Sequence, residues 1–429
     1  MRKISIKLGE RIDGSAEIRI APEQLFGCHC AILGSSGSGK SWTLARCLEE
    51  SAKYGSKLVL LDVSGEYSNL DYRTFHIHIP TTHTNSQPSN TKSVAATIPY
   101  YELTESDLFS IFAPDGPLQR VKLREAMRTL KLLQRIPQLA VNGVFPKSNK
   151  HKVPYEDALI AESKTVNRAD SIFNVFNLPS QIALECVEPS RSEAEQEYWG
   201  PSSSSDQTKC ASLIHRIDDI LKQGTLNCIF NPPAIPSVFE ALEKFITDDS
   251  VAILRISLEH LPIANEVRTI ILEAIARTLL SMARHNEFRA KPVVLVMDEA
   301  HQAIGNRLPA KQPETVRFPV FESIAKEGRK YGLTLCLATQ RPSDLPDDIL
   351  TQISTFIVHR VIGKVDQESL QHVLGGVDTS LVKNLSKLPK GGAILISGGA
   401  HTPLRVTRPD APPTSHGPNY QQAWAQSES

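Results

Sequence analysis

Residues Gly34-Ser35-Ser36-Gly37-Ser38-Gly39-Lys40-Ser41 read G-x-x-x-x-G-K-S, a phosphate-binding loop without departure. Glycines let a backbone fold tightly around a phosphate chain and turn its N–H groups inward. The helix that must follow adds partial positive charge beneath the phosphates. The motif predicts that the chain binds a nucleoside triphosphate, with Gly34, Ser36, Gly37, Ser38, Gly39, Lys40, Ser41 and Trp42 around it. Lys40 would reach the β- and γ-phosphates, and Ser41 would bind Mg²⁺. A second cluster is Asp298-Glu299, which closes the apolar run Val293–Met297. In P-loop enzymes the first such acid lies near the Mg²⁺ shell, and an acid directly after it can orient or deprotonate a water. Asp298 is therefore the magnesium-side residue and Glu299 the expected catalytic base. His301, which completes Asp-Glu-Ala-His, reads as structural.

Two further groups are weaker by type and spacing alone. Gln340 ends the apolar run Leu333–Ala338, where an amide could touch the γ-phosphate or the attacking water. Arg329 lies just before that run, where an arginine could reach a neighbouring subunit's nucleotide and stabilise transferring charge. A solvated helix end explains it equally well. Cys28-His29-Cys30 is too tightly spaced for a usual zinc site, so small apolar cysteines entering the loop strand are expected.

These residues need a scaffold that brings distant segments together. Cys30–Leu33, Lys57–Asp62, Phe75–Ile79, Val251–Ile256, Pro292–Asp298, Leu333–Thr339, Thr355–Arg360 and Ala393–Ser397 read as strands. Helical patterns separate them, which predicts an α/β fold with a mostly parallel sheet. Ile4, Ile6 and Leu8, then Ile18 and Ile20, alternate with polar residues around a turn signal at Asp13-Gly14. A helical block fills the middle of the chain. Thr104-Glu105-Ser106-Asp107 opens it as a cap, and Leu118–Ile136 is amphipathic with a basic face. The expected divisions are a short β segment over 1–27, core over 28–80, a largely helical insertion over 81–250, core again over 251–407, and a Pro-rich polar tail over 408–429.

The chain has 429 residues, 41% of them hydrophobic, enough for an ordinary core. It carries 47 basic and 47 acidic residues, so an overall cationic coat is excluded although a local basic stripe is not. Seven dispersed cysteines argue against a secreted disulfide framework. No signal peptide or membrane-length apolar run is present, so a cytoplasmic location without membrane contact is expected.

Ile324–Gly332 (I-A-K-E-G-R-K-Y-G), Ala338–Leu345 (A-T-Q-R-P-S-D-L) and Phe356–Arg360 together resemble the HerA family, a branch of the HerA/FtsK superfamily of ring-forming ATPases. Asp62–Ser68 resembles that family's D-x-x-G-E-Y-S segment. The resemblance runs in order from about Cys28 to Val406. It implies a RecA-like core, ATP and Mg²⁺ as ligands, a homohexamer, and double-stranded DNA pumped through the centre. It further implies that Gln340 senses the γ-phosphate and Arg329 acts in trans, with Lys326 and Arg341 as weaker candidates. Family members usually begin with a β-barrel, for which Met1–Gly27 is too short. The loop Gly305–Phe318, with Arg307, Lys311 and Arg317, is a candidate pore loop.

Three functions are compatible with these residues. The first is a HerA-type translocase or helicase acting beside a partner nuclease or an NAD-consuming effector, as in DNA processing or antiphage defence. The second is an ATP-binding ring scaffold that assembles an effector with little DNA pumping. The third is a metabolic or signalling P-loop ATPase unrelated to DNA.

Overall fold

The apolar runs flanking the two motif clusters fold as strands with no exposed residue, because both faces of the sheet are covered. The computed structural model describes residues 4–80, 92–168, 171–261, 267–304, 320–374 and 379–414. The strands are β1 Ile6–Arg11, β2 Glu17–Ile20, β3 Cys30–Leu33, β4 Lys57–Asp62, β5 Thr74–His78, β6 Val94–Ala95, β7 Ile253–Ser257, β8 Val293–Met297, β9 Leu333–Thr339, β10 Thr355–Val358, β11 Gly392–Ser397 and β12 Ala400–Val406.

They form one sheet in the order β2-β1-β12-β11-β10-β3-β9-β8-β4-β7-β5-β6. Every pairing from β10 to β6 is parallel, and every pairing from β10 to β2 is antiparallel. The mostly parallel α/β fold is therefore present, with an antiparallel extension along one edge. The hairpin at Asp13-Gly14 belongs to this extension. β1 pairs with β12, so the N-terminal strands prolong the same sheet.

Alternation along the strands divides the core in two. Cys30 and Ile32 of β3, with Leu58 and Leu60 of β4, face the P-loop helix Lys40–Ala52 through Leu44 and Leu48. Ala31 and Leu33, with Val59 and Leu61, face the other side, where the helical block and the helix Val267–Arg284 pack. Within that block, Thr104 caps the helix Glu105–Phe112: its hydroxyl accepts the Asp107 N–H, and the Asp107 carboxylate accepts the Thr104 N–H. The amphipathic helix spans Gly116–Arg135, burying Leu123, Met127, Leu130 and Leu133 while Arg124, Arg128 and Arg135 stay in solvent. His29 is a core histidine. One ring nitrogen lies 2.9 Å from Ala325 O and the other accepts the Leu335 N–H, which leaves neither for a metal. No helix among the described residues is long and apolar enough to cross a membrane.

Beyond β12 the chain crosses the P-loop helix. The Glu49 carboxylate accepts the N–H groups of Asp410 and Ala411, and Thr414 donates through its N–H and hydroxyl to Glu66 O. The part of the tail after Thr414 and the candidate pore loop Gly305–Phe318 lie outside the described residues.

Candidate nucleotide site

β3, β9 and β8 are adjacent and parallel, so their C-terminal ends bring three distant segments to one rim. β3 delivers the loop Gly34–Gly39, β9 delivers Gln340, and β8 delivers Asp298 and Glu299. The loop needs its glycines. A Cβ on Gly34 would lie 2.6 Å from the His359 Cβ and 2.7 Å from the Ser38 Oγ. Gly39 has φ +121° and no side chain to cap the helix that begins at Lys40, so the first N–H groups of that helix stay open toward the loop.

Lys40 is buried, and its ammonium makes a long hydrogen bond, 3.5 Å to Ser35 O. Burial lowers its pKa, against the opposing charges of Glu299, Asp298 and Glu66. The buried Ser38 Oγ has no partner. A poorly satisfied buried ammonium, an orphan hydroxyl and an uncapped helix N-terminus fit a bound polyphosphate. Ser41 is half-buried in the first helical turn, and Trp42 is exposed with the Arg408 guanidinium 5.5 Å from its ring centroid.

Asp298 is almost completely buried and both of its oxygens are taken. Oδ1 accepts the Glu299 N–H at 2.9 Å, and Oδ2 accepts the Tyr67 hydroxyl at 2.9 Å. Burial first, then the charge of Glu299, pushes its carboxyl up to about 7. A divalent cation would reverse that preference and hold the carboxylate ionised. Glu299 sits in the left-handed backbone region at φ 49°, a conformation costing roughly 1–3 kcal/mol for a non-glycine residue. Its Oε1 accepts the Gln340 amide, and the His301 ring lies 3.3 Å from Oε2 and 3.1 Å from the Thr339 Oγ1. Burial raises the Glu299 carboxyl, but the hydrogen bonds of His301 and Gln340 and the charge of Lys40 outweigh it, leaving the group below its ordinary value. An ionised carboxylate held this way can accept a proton or orient a water.

Three side chains that sequence reasoning did not place here belong to this rim. His301 was read as structural and touches the Glu299 side. His359 is fully buried under the loop: its Nδ1–H donates to Gly392 O at 2.9 Å, and its Nε2 accepts the Thr43 hydroxyl at 2.7 Å. Burial lowers it to about 4, so it braces the P-loop helix as a neutral ring. Tyr67 comes from the loop after β4. The only sequence signal for it was the D-x-x-G-E-Y-S run.

Arg329 is not in this rim. It lies exposed on the turn Gly328–Tyr331 that precedes β9, at the opposite end of the strands, where its charge acts on His29. Lys326 pairs with Asp348 at 2.6 Å, while Arg341 is exposed next to Gln340 and 3.7 Å from Asp344.

Comparison with known proteins shows which chains this one is similar to. Residues 6–197 match the family model for the central domain of helicase HerA. Over 94% of its length the chain is 23% identical to a probable helicase of Methanocaldococcus jannaschii and covers 66% of that protein. Over 98% of its length it is 21% identical to the DNA double-strand break repair helicase HerA of Sulfolobus acidocaldarius, covering 72% of it. The chain thus spans about two thirds of these relatives. Among solved structures, VirB4 of Thermoanaerobacter pseudethanolicus superposes with a TM-score of 0.58 at 14% identity over 97% of both chains. The bacterial conjugative coupling protein TrwB does so with 0.54 at 11% identity, over 95% of this chain and 89% of that one. These likenesses establish the RecA-like P-loop fold.

Proposed function

Because the chain belongs to the HerA family of P-loop ATPases, we propose that it hydrolyses ATP to move double-stranded DNA, working as a homohexamer beside a nuclease or another effector enzyme. The observation that carries the reading is the meeting of Lys40, Asp298, Glu299 and Gln340 at the ends of three neighbouring parallel strands. The break-repair helicase relatives support DNA as the substrate. A TrwB structure in complex with ADP and Mg²⁺, with a TM-score of 0.52, supports a magnesium nucleotide as the ligand class.

In this reading the loop N–H groups and Lys40 hold the phosphates. Ser41 and Asp298 would hold Mg²⁺, which when bound neutralises charge on the phosphate oxygens. Glu299 takes the water's proton. Gln340 already grips Glu299, so a phosphate that draws the amide away would change the base's freedom at the same moment. Arg329 serves the site of the adjoining copy. The shared site makes ring closure and hydrolysis interdependent.

The test is ATP hydrolysis with and without duplex DNA, for wild type and Lys40→Ala, together with the mass of the assembly in ATP. The reading expects DNA-stimulated hydrolysis that Lys40→Ala abolishes and a six-chain mass. Equal hydrolysis by both proteins would refute it.

A further inference from the structure

We propose that the Tyr67 hydroxyl is a positioning group for Asp298, fixing the carboxylate in the orientation that receives the divalent cation. The inference rests on the nucleotide-hydrolysis reading and adds to it a residue that the P-loop and acidic motifs do not contain.

Tyr67 reaches Asp298 from 231 positions away in sequence, with its hydroxyl donating to Oδ2 at 2.9 Å. The Glu299 N–H holds Oδ1 at the same distance. Two donors on two oxygens fix the plane of the carboxylate and leave its remaining lone pairs for one direction. A cation ligand held this way binds without first losing rotational freedom.

Tyr67 is itself held from below. The Asp62 carboxylate accepts the N–H of Gly65 at 2.8 Å and of Tyr67 at 3.0 Å, and it pairs with Arg255 Nε at 2.7 Å. A second guanidinium nitrogen of Arg255 donates to Gly65 O at 3.3 Å. Gly65 has φ +80°, a left-handed conformation that strains any residue with a Cβ, so the loop favours glycine at that point. Arg255 and Asp62 are almost fully buried. The order is thus Arg255 on β7, Asp62 on β4, Tyr67 on the loop after it, and Asp298 at the end of β8, across three neighbouring strands.

The plain alternative is packing, since the Tyr67 ring lies in the core beside Leu58, Leu60 and Leu70. Tyr67→Phe keeps the ring and removes only the hydroxyl. The readouts are Mn²⁺ binding in the presence of nucleotide, followed by electron paramagnetic resonance, and the Mg²⁺ dependence of hydrolysis. We expect the metal half-saturation to rise roughly 10–100-fold, with nucleotide binding in chelator unchanged. In an Asp298→Ala background the hydroxyl has no side-chain oxygen to hold, so Tyr67→Phe should then leave metal binding unchanged. Unchanged metal half-saturation in the single variant, or an equal effect in both backgrounds, overturns the proposal. Should Tyr67→Phe not fold, Arg255→Lys decides: it keeps Tyr67 but loosens its loop, and the same upward shift is expected, with no shift overturning the proposal. Wild-type protein that neither binds nor hydrolyses nucleotide refutes the nucleotide reading itself, and so stands apart from these outcomes.

Discussion

Replacing Asp298 by Asn should change how stability depends on pH, in a direction the site dictates. Burial and the Glu299 charge push this carboxyl from 3.8 up to about 7 in the folded metal-free protein. The folded state therefore holds a proton that the unfolded chain has released, and stability falls as pH rises between those two values. About 3 pH units at ~1.4 kcal/mol each amount to a total on the order of 4 kcal/mol, of which roughly 3 kcal/mol is lost between about pH 5 and 8. Two buried histidines act with the opposite sign. His359 and His76 are both lowered to about 4, so their contribution is present above the ordinary value of 6.5 and is lost as pH falls toward 4. The wild-type profile sums these effects, and its difference from Asp298→Asn isolates the carboxyl. Asn keeps the shape and the Tyr67 contact but sets an amide against the Glu299 N–H at some penalty, about 1–3 kcal/mol, which does not vary with pH. The assay is urea unfolding in chelator at fixed protein concentration, with wild type and variant compared at about pH 5, 6.5 and 8. The variant should gain on wild type steadily as pH rises. A difference that is flat, or that shrinks with pH, would show that Asp298 is ionised without a cation and that the account of its burial is wrong.

Gln340→Ala frees the Glu299 carboxylate, so kcat should fall by about 10²-fold or more while ATP affinity stays within a few-fold, read from single-turnover kinetics and nucleotide titration. His359→Leu removes the tie between Thr43 and Gly392; weakened ATP binding and a flatter loss of stability between about pH 6.5 and 4 are expected from titration and acid unfolding. Arg329→Ala should lower hydrolysis by ~10³-fold or more with ATP still bound, and mixing it with Lys40→Ala protein should restore activity, since each copy supplies what the other lacks. No recovery on mixing would place Arg329 outside the neighbour's site.

The parts legible in the sequence were those where chemistry and spacing are local. The loop Gly34–Ser41 and the pair Asp298-Glu299 announce themselves because a phosphate cradle and a strand-end acid need fixed residues in a row. β4, β8 and β9 were visible because strands buried on both faces are continuously apolar. β12 was not. Of Ala400–Val406, Leu404 alone is buried, and Pro403 interrupts the pattern. The antiparallel edge was hidden with it, since β12 is the strand to which β1 pairs. Tyr67, His301 and His359 escaped for another reason. Each acts through contacts to residues far along the chain or around a turn, and no periodicity encodes such contacts. A buried histidine such as His359 is indistinguishable in sequence from His29, which joins core segments away from the site.

The strand order also sets a timetable for biosynthesis. β3, which carries the nucleotide loop, lies between β9 and β10, and Leu33 pairs with Thr339 and Val358. Its sheet neighbours are thus made about 300 residues after it, a wait of roughly 15–60 s at ordinary rates of chain elongation. Through that interval the nascent chain presents an apolar strand with two open edges, and the β1–β2 hairpin waits longer still for β12. Pairing at such separation is slow and prone to association with other chains. A ribosome-bound fragment ending before Thr339 therefore has a phosphate loop in its sequence and no rim to hold it, and the complete rim forms only after β9 and β10 have been made.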